Sequence, residues 1–174
     1  MKKYLLAIMF LVLACSNTFS NEKSNSSRIL IRQNIGYGEA KLLTEQQQKT
    51  AVQRIGTRIL LNSSDKQFYG FEFSIIQPIE KEKMLNYDQL ISFGIFLEQK
   101  MKNFLGLLEN AVAGIGTIGY IGKNSELNNT FGLCTNIGSD FTCFSLNLNI
   151  NLRTDYIFDS NTILIHSLSL GINL

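Results

Sequence analysis

One histidine, one proline and three cysteines in 174 residues leave little of the material from which metal centres, nucleophilic sites and interdomain linkers are made. His166 has no second histidine beside it and no cluster of ligands at metal-binding spacing, so neither a metal nor a cofactor is expected. Pro78 is the sole proline, and no Pro/Gly/Ser-rich linker interrupts the chain from residue 29 onward, so one continuous domain is the simplest organisation. Charge of one sign is missing too. Sixteen basic residues stand against 14 acidic ones, with no clustered Arg/Lys tract, which sets nucleic acid aside as a partner. The glycine-rich segment AGIGTIGYIG lacks the Lys-Ser/Thr ending and the strand-to-helix setting of a phosphate loop.

The apolar run at 4–13, YLLAIMFLVL, is too short to cross a bilayer as a helix, which takes roughly 20 residues. It follows Lys2 and Lys3 and precedes small and polar residues, the order of a secretory signal peptide. Cleavage after Ser20 divides the chain into a signal at 1–20, a polar leader at 21–28 and a domain at 29–174. Cys15, in VLACSN, also resembles the lipidated first residue of a lipoprotein, and both routes stay open. Either way the chain is exported, to where disulfides persist, and Cys134 and Cys143 remain as a candidate pair.

What the sequence does have is alternation. In SLNLNINLRTDYIF, Leu146, Leu148, Ile150, Leu152 and Tyr156 point one way, and Asn147, Asn149, Asn151, Arg153 and Asp155 the other, because successive strand side chains face opposite sides. Eight such runs are legible, at 29–40, 51–61, 68–76, 89–98, within 107–122, and at 130–137, 142–158 and 162–174. The segment FLEQKMKNFLGLLENA also fits helical spacing through Phe96, Lys100, Phe104, Leu107 and Leu108, so a short helix there is an alternative. Connections after the second and sixth runs are tight, and those after the first, third and fifth are longer and polar. Together these features predict an all-β, eight-stranded, up-and-down antiparallel barrel.

A soluble barrel with an apolar interior needs an outer face rich in Lys and Glu. Here the polar face offers Asn, Ser, Gly and Arg instead, which suits the crowded lumen of an eight-stranded barrel. The apolar face therefore meets lipid, making the barrel transmembrane. Arg32, Arg54, Arg58, Glu72, Glu98, Arg153 and Asp155 are then expected to pair inside, because buried charges persist only when paired and hydrogen-bonded.

The signal, the eight runs and the terminal strand TILIHSLSLGINL resemble the small outer-membrane barrels of the outer membrane protein A transmembrane-domain type, from Ile29 to Leu174. The chain departs from them in ending on Leu174, where such barrels usually carry an aromatic residue. The resemblance implies an outer-membrane location, with outer-membrane lipid and the barrel-assembly machinery as partners. The expected function is non-enzymatic: a structural role in the envelope, or binding of an extracellular or host protein through short outer loops. Two other readings stay open. One is a lipid-modifying enzyme with His166 as base, although residue 168 is Leu where lipid A deacylase barrels place a Ser, and Ser167 and Ser169 fall on the inner face. The other is a lipidated soluble barrel carrying an apolar ligand.

The cysteines give a sharper expectation. Gly138-Ser139 suits a two-residue type II′ hairpin turn. Pairing residue 137 with 140 sets 134 opposite 143, so Cys134 and Cys143 are expected to form a cross-strand disulfide.

Overall fold

The computed structural model describes residues 29–43, 48–64, 66–79, 87–104, 108–123, 127–159 and 162–174. The proposed signal and leader lie outside the described residues. Eight strands follow in chain order: β1 Ile29–Leu42, β2 Lys49–Ser64, β3 Gln67–Pro78, β4 Gln89–Phe104, β5 Leu108–Lys123, β6 Leu127–Cys143, β7 Leu146–Phe158 and β8 Ile163–Asn173. Each pairs antiparallel with its sequence neighbours, and β1 also pairs with β8, closing the barrel. Closure leaves no strand edge unpaired, which is what allows a sheet to sit in lipid. The shortest strand has 11 residues, enough to cross a bilayer at a tilt.

The period-2 pattern sets the facing of every strand. Ile55, Phe71, Phe73, Phe93, Ile95, Ile115, Phe131, Leu152 and Leu168 are exposed on the outside, while Arg32, Arg54, Arg58, Glu72, Glu98, Arg153 and Asp155 are buried inside. This is the reverse of a water-soluble protein. The two rims also differ. One carries connections of two residues after β2, three after β4 and two after β6, and the other carries those at 43–48, 79–88, 124–126 and 159–162. The segment with helical spacing is divided between β4 and β5, with only 105–107 outside the described residues.

The hairpin between β6 and β7 corrects the sequence reading. Its turn is Phe144-Ser145, both at positive φ (48° and 67°), not Gly138-Ser139. Strand β6 runs on past Gly138, so Ile137 pairs with Leu152 rather than with residue 140, Cys134 pairs with Asp155, and Cys143 pairs with Leu146. Cys134 is buried on the lumen side and Cys143 is exposed, so the expected disulfide is absent and both thiols are free. The cause is the neighbouring strand. The near end of β5 needs a partner, and it finds one in Ala111 with Ser139, Val112 with Gly138 and Ala113 with Ile137. A turn at 138–139 would have removed that stretch of β6. Gly138 is needed as a strand residue, because a Cβ there would collide with the Ile150 carbonyl oxygen.

Candidate functional site

The lumen is filled in two layers. Toward the short-turn rim and the middle, most inward side chains are charged or amide, with Leu60, Phe68 and Phe96 packed among them. Arg32 donates from Nη1 to both oxygens of Glu98 (3.2 and 3.0 Å) and from Nη2 to Asp140 Oδ1 (3.4 Å). Glu98 also binds Arg58, which donates from Nε and Nη2 to Glu72 Oε2 at 2.9 and 2.6 Å. Glu72 in turn binds Arg153, Arg153 Nε reaches Asp155 Oδ1 at 2.6 Å, and the other oxygen of Asp155 binds Arg54.

The order Asp140, Arg32, Glu98, Arg58, Glu72, Arg153, Asp155, Arg54 alternates in sign at every step and sums to zero. Alternation is what makes such a row tolerable away from water. Each internal charge lies between two opposite ones, so attraction and hydrogen bonding offset desolvation.

Neighbours complete the row. Phe96 lies between two of the guanidiniums, its ring centroid 4.2 Å from the Arg58 carbon and 5.0 Å from that of Arg153, a stacking arrangement that buries their flat faces. Asn136 donates to Glu98, and Asn149 and Asn173 donate to Asp140. Small residues give the long side chains room: at Gly114 a Cβ would run into Asn136 and Glu98. At the short-turn rim the row opens into a vestibule of about 330 Å³ of mixed polarity, lined by Leu30, Lys100, Asn110, Asp140, Phe141, Thr142, Asn147 and Asn173. Lys100 Nζ stands 3.8 Å from Asp140 there.

Toward the long-loop rim the filling changes. Ala40, Val52, Ile76, Leu90, Ile118, Tyr120, Ile157, Ile163 and Ile165 pack into an apolar cluster with Tyr87. Tyr87 also donates its hydroxyl to Asp159 at 2.6 Å.

All seven charged residues expected to pair inside are brought together. Two participants were missed. Asp140 had been assigned next to a turn, although four arginines against three acids already left one carboxylate short. The apolar cluster was missed as well, though its signal is visible where alternation fails near the long-loop strand ends, as in Ile75-Ile76 and Ile163-Leu164-Ile165. His166 lies exposed on the outer face, its Nδ1 2.9 Å from the Thr154 hydroxyl. No group of metal-ligating side chains occurs among the described residues.

No family model and no curated protein matches the sequence. Among solved structures, the chain is similar to Neisserial surface protein A, with a TM-score of 0.56 and 11% identity over 86% of this chain and 99% of that one. It also aligns with Ail of Yersinia pestis (TM-score 0.45, 15% identity, 83% of this chain and 98% of that one). The N-terminal β-barrel domain of Pseudomonas aeruginosa OprF aligns as well (TM-score 0.45, 9% identity, 83% and 97%). The likeness to the neisserial protein is one of fold. The chain has the architecture of a small eight-stranded barrel, as its resemblance to the outer membrane protein A transmembrane-domain type implies.

Proposed function

We propose that the chain is a non-enzymatic integral barrel of the outer membrane, with a structural role in the envelope and short outer loops that can meet an extracellular or host protein. One observation carries this reading: a closed sheet with its charges paired inside and a continuous aliphatic and aromatic band outside. In water that band would expose far more contiguous apolar surface than a soluble monomer tolerates. The lipidated soluble barrel requires the opposite facing and loses its basis. In this reading the signal at 1–20 directs export, the assembly machinery inserts the barrel, and the rim with longer connections faces outward.

The bore does not conduct. Alternating charges fill one part with side chains and an apolar cluster closes the other, so among the described residues the bore is packed from rim to rim rather than lined by water. The test is heat-modifiability: detergent-extracted membrane protein is compared boiled and unboiled on a gel, and the unboiled form should migrate differently. A band indifferent to boiling, with release by carbonate, would overturn the reading. Planar-bilayer recordings should show no steady conductance.

A further inference from the structure

The outward face carries few Asp, Glu, Lys, Arg or His side chains, and among the described side chains of the strands these gather in one place. Lys41 and Lys49 stand directly opposite each other at the long-loop end of the β1–β2 pair. Glu39, one pleat nearer the middle, holds Lys49 through a 3.2 Å ion pair, both side chains being about half exposed. Across the β1–β8 seam His166 stands opposite Glu39, with Thr154 beside it on β7. The next outward residues toward the middle, Tyr37 and Leu168, are exposed and apolar.

Two physical points follow from this placement. Like charges directly opposite on an antiparallel pair repel, and Glu39, the one carboxylate paired with them among the described residues, offsets only Lys49. Lys41 has no anionic partner among the described residues. Charge on the lipid face of a barrel also costs roughly 2–4 kcal/mol at the midplane and about 0–1 near the interfaces, so this patch belongs at head-group depth. A lipid there presents a fixed anion in the plane of the membrane, at the height of two lysines that share a single carboxylate among the described residues.

We propose that Lys41 and Lys49 form a binding site for the phosphate of an anionic outer-leaflet lipid. Glu39 competes with that phosphate for Lys49, and the Thr154–His166 pair supplies a hydrogen-bonding flank. The proposal rests on the membrane-barrel reading above and goes beyond it in naming one site on the wall and the head-group chemistry it takes.

The experiment is native mass spectrometry of the barrel in neutral detergent, its folded state first checked by the heat shift, with diphosphorylated lipid A or its dephosphorylated form as probe. The wild type should retain the phosphorylated lipid preferentially. Lys41→Gln with Lys49→Gln should lower apparent affinity roughly 30-fold, on the basis of about fivefold per lysine near a charged surface. Lys41→Gln alone should give about fivefold, and Glu39→Gln should strengthen retention. Lys66→Gln, at the opposite rim, should change nothing. Equal retention of the two lipids, or of the phosphorylated lipid by wild type and double variant, would overturn the site while leaving the barrel reading intact. Absence of a heat-shifted form would overturn both.

Discussion

The two halves of the lumen solve the same problem by different physics. An eight-stranded barrel must fill its bore with side chains. From the short-turn rim through the middle it does so mainly with four guanidiniums and four carboxylates in strict alternation, packed beside Leu60, Phe68 and Phe96, and nearer the long loops mainly with aliphatic residues and Tyr120. Apolar filling is graded, since each methylene contributes its own transfer and packing energy. Ionic filling is closer to all-or-none. Removing one member leaves its neighbours charged and buried with one partner fewer, and the row no longer neutral, which costs more than the contact itself contributes.

The largest expected effect is therefore in the charged half. Glu72 is shared by Arg58 and Arg153, so Glu72→Leu should destabilise the folded barrel by about 3–5 kcal/mol, measured by urea unfolding in detergent. Adding Arg153→Met should recover part of that loss, because the second change returns the buried row to a net charge of zero. A double variant as unstable as the sum of the two single ones would mean that the row acts as independent contacts.

In the apolar half, Ile118→Ala should cost about 2–4 kcal/mol and Ile118→Val only about 1, a gradation the charged half should not show. A cost for Ile118→Val as large as that for Glu72→Leu would erase the contrast between the halves.

The free thiols sample the boundary and the rim. Cys134 is buried at the edge of the apolar cluster and Cys143 is exposed beside the β6–β7 turn. Without reductant, an alkylating reagent should modify Cys143 within minutes on the folded barrel and Cys134 only on unfolding. A peptide linking the two by disulfide would disprove the β6–β7 register. The smallest effect should come from the turn itself. Phe144→Asn with Ser145→Gly supplies residues that accept positive φ, and should stabilise the hairpin by less than about 1 kcal/mol in the same urea measurement.

Much of the charged half was legible before the structure, and little of how it is joined. Parity alone sends Arg32, Arg58, Glu72, Glu98 and Arg153 inward. It does not say that Glu98 bridges Arg32 and Arg58, or that Asp140 completes the row. Several partners in the row come from strands that are not neighbours: Arg32 and Glu98 are 66 residues apart, Arg153 and Glu72 are 81. The apolar half was hidden for a related reason. Where both faces of a strand are buried against something greasy, lipid outside and packed side chains inside, alternation disappears and the run no longer reports its facing.

The sequence by itself determined the number of strands, which side of most of them meets oil, and hence that the barrel is inside-out, because facing is a local property with a period of two residues; only the glycine-rich fifth run left its facing ambiguous. Only the tertiary structure decided register, and with it the Phe144-Ser145 turn, the separation of Cys134 from Cys143, and the order of the charged row. A turn at Gly138-Ser139 and one at Phe144-Ser145 leave the parity of β7 unchanged. Local chemistry prefers the first, since glycine takes positive φ without strain. Closing the ring requires β6 to cover the end of β5 and β7 to meet β8, and these pairings outweigh the cost of holding Phe144 and Ser145 at positive φ.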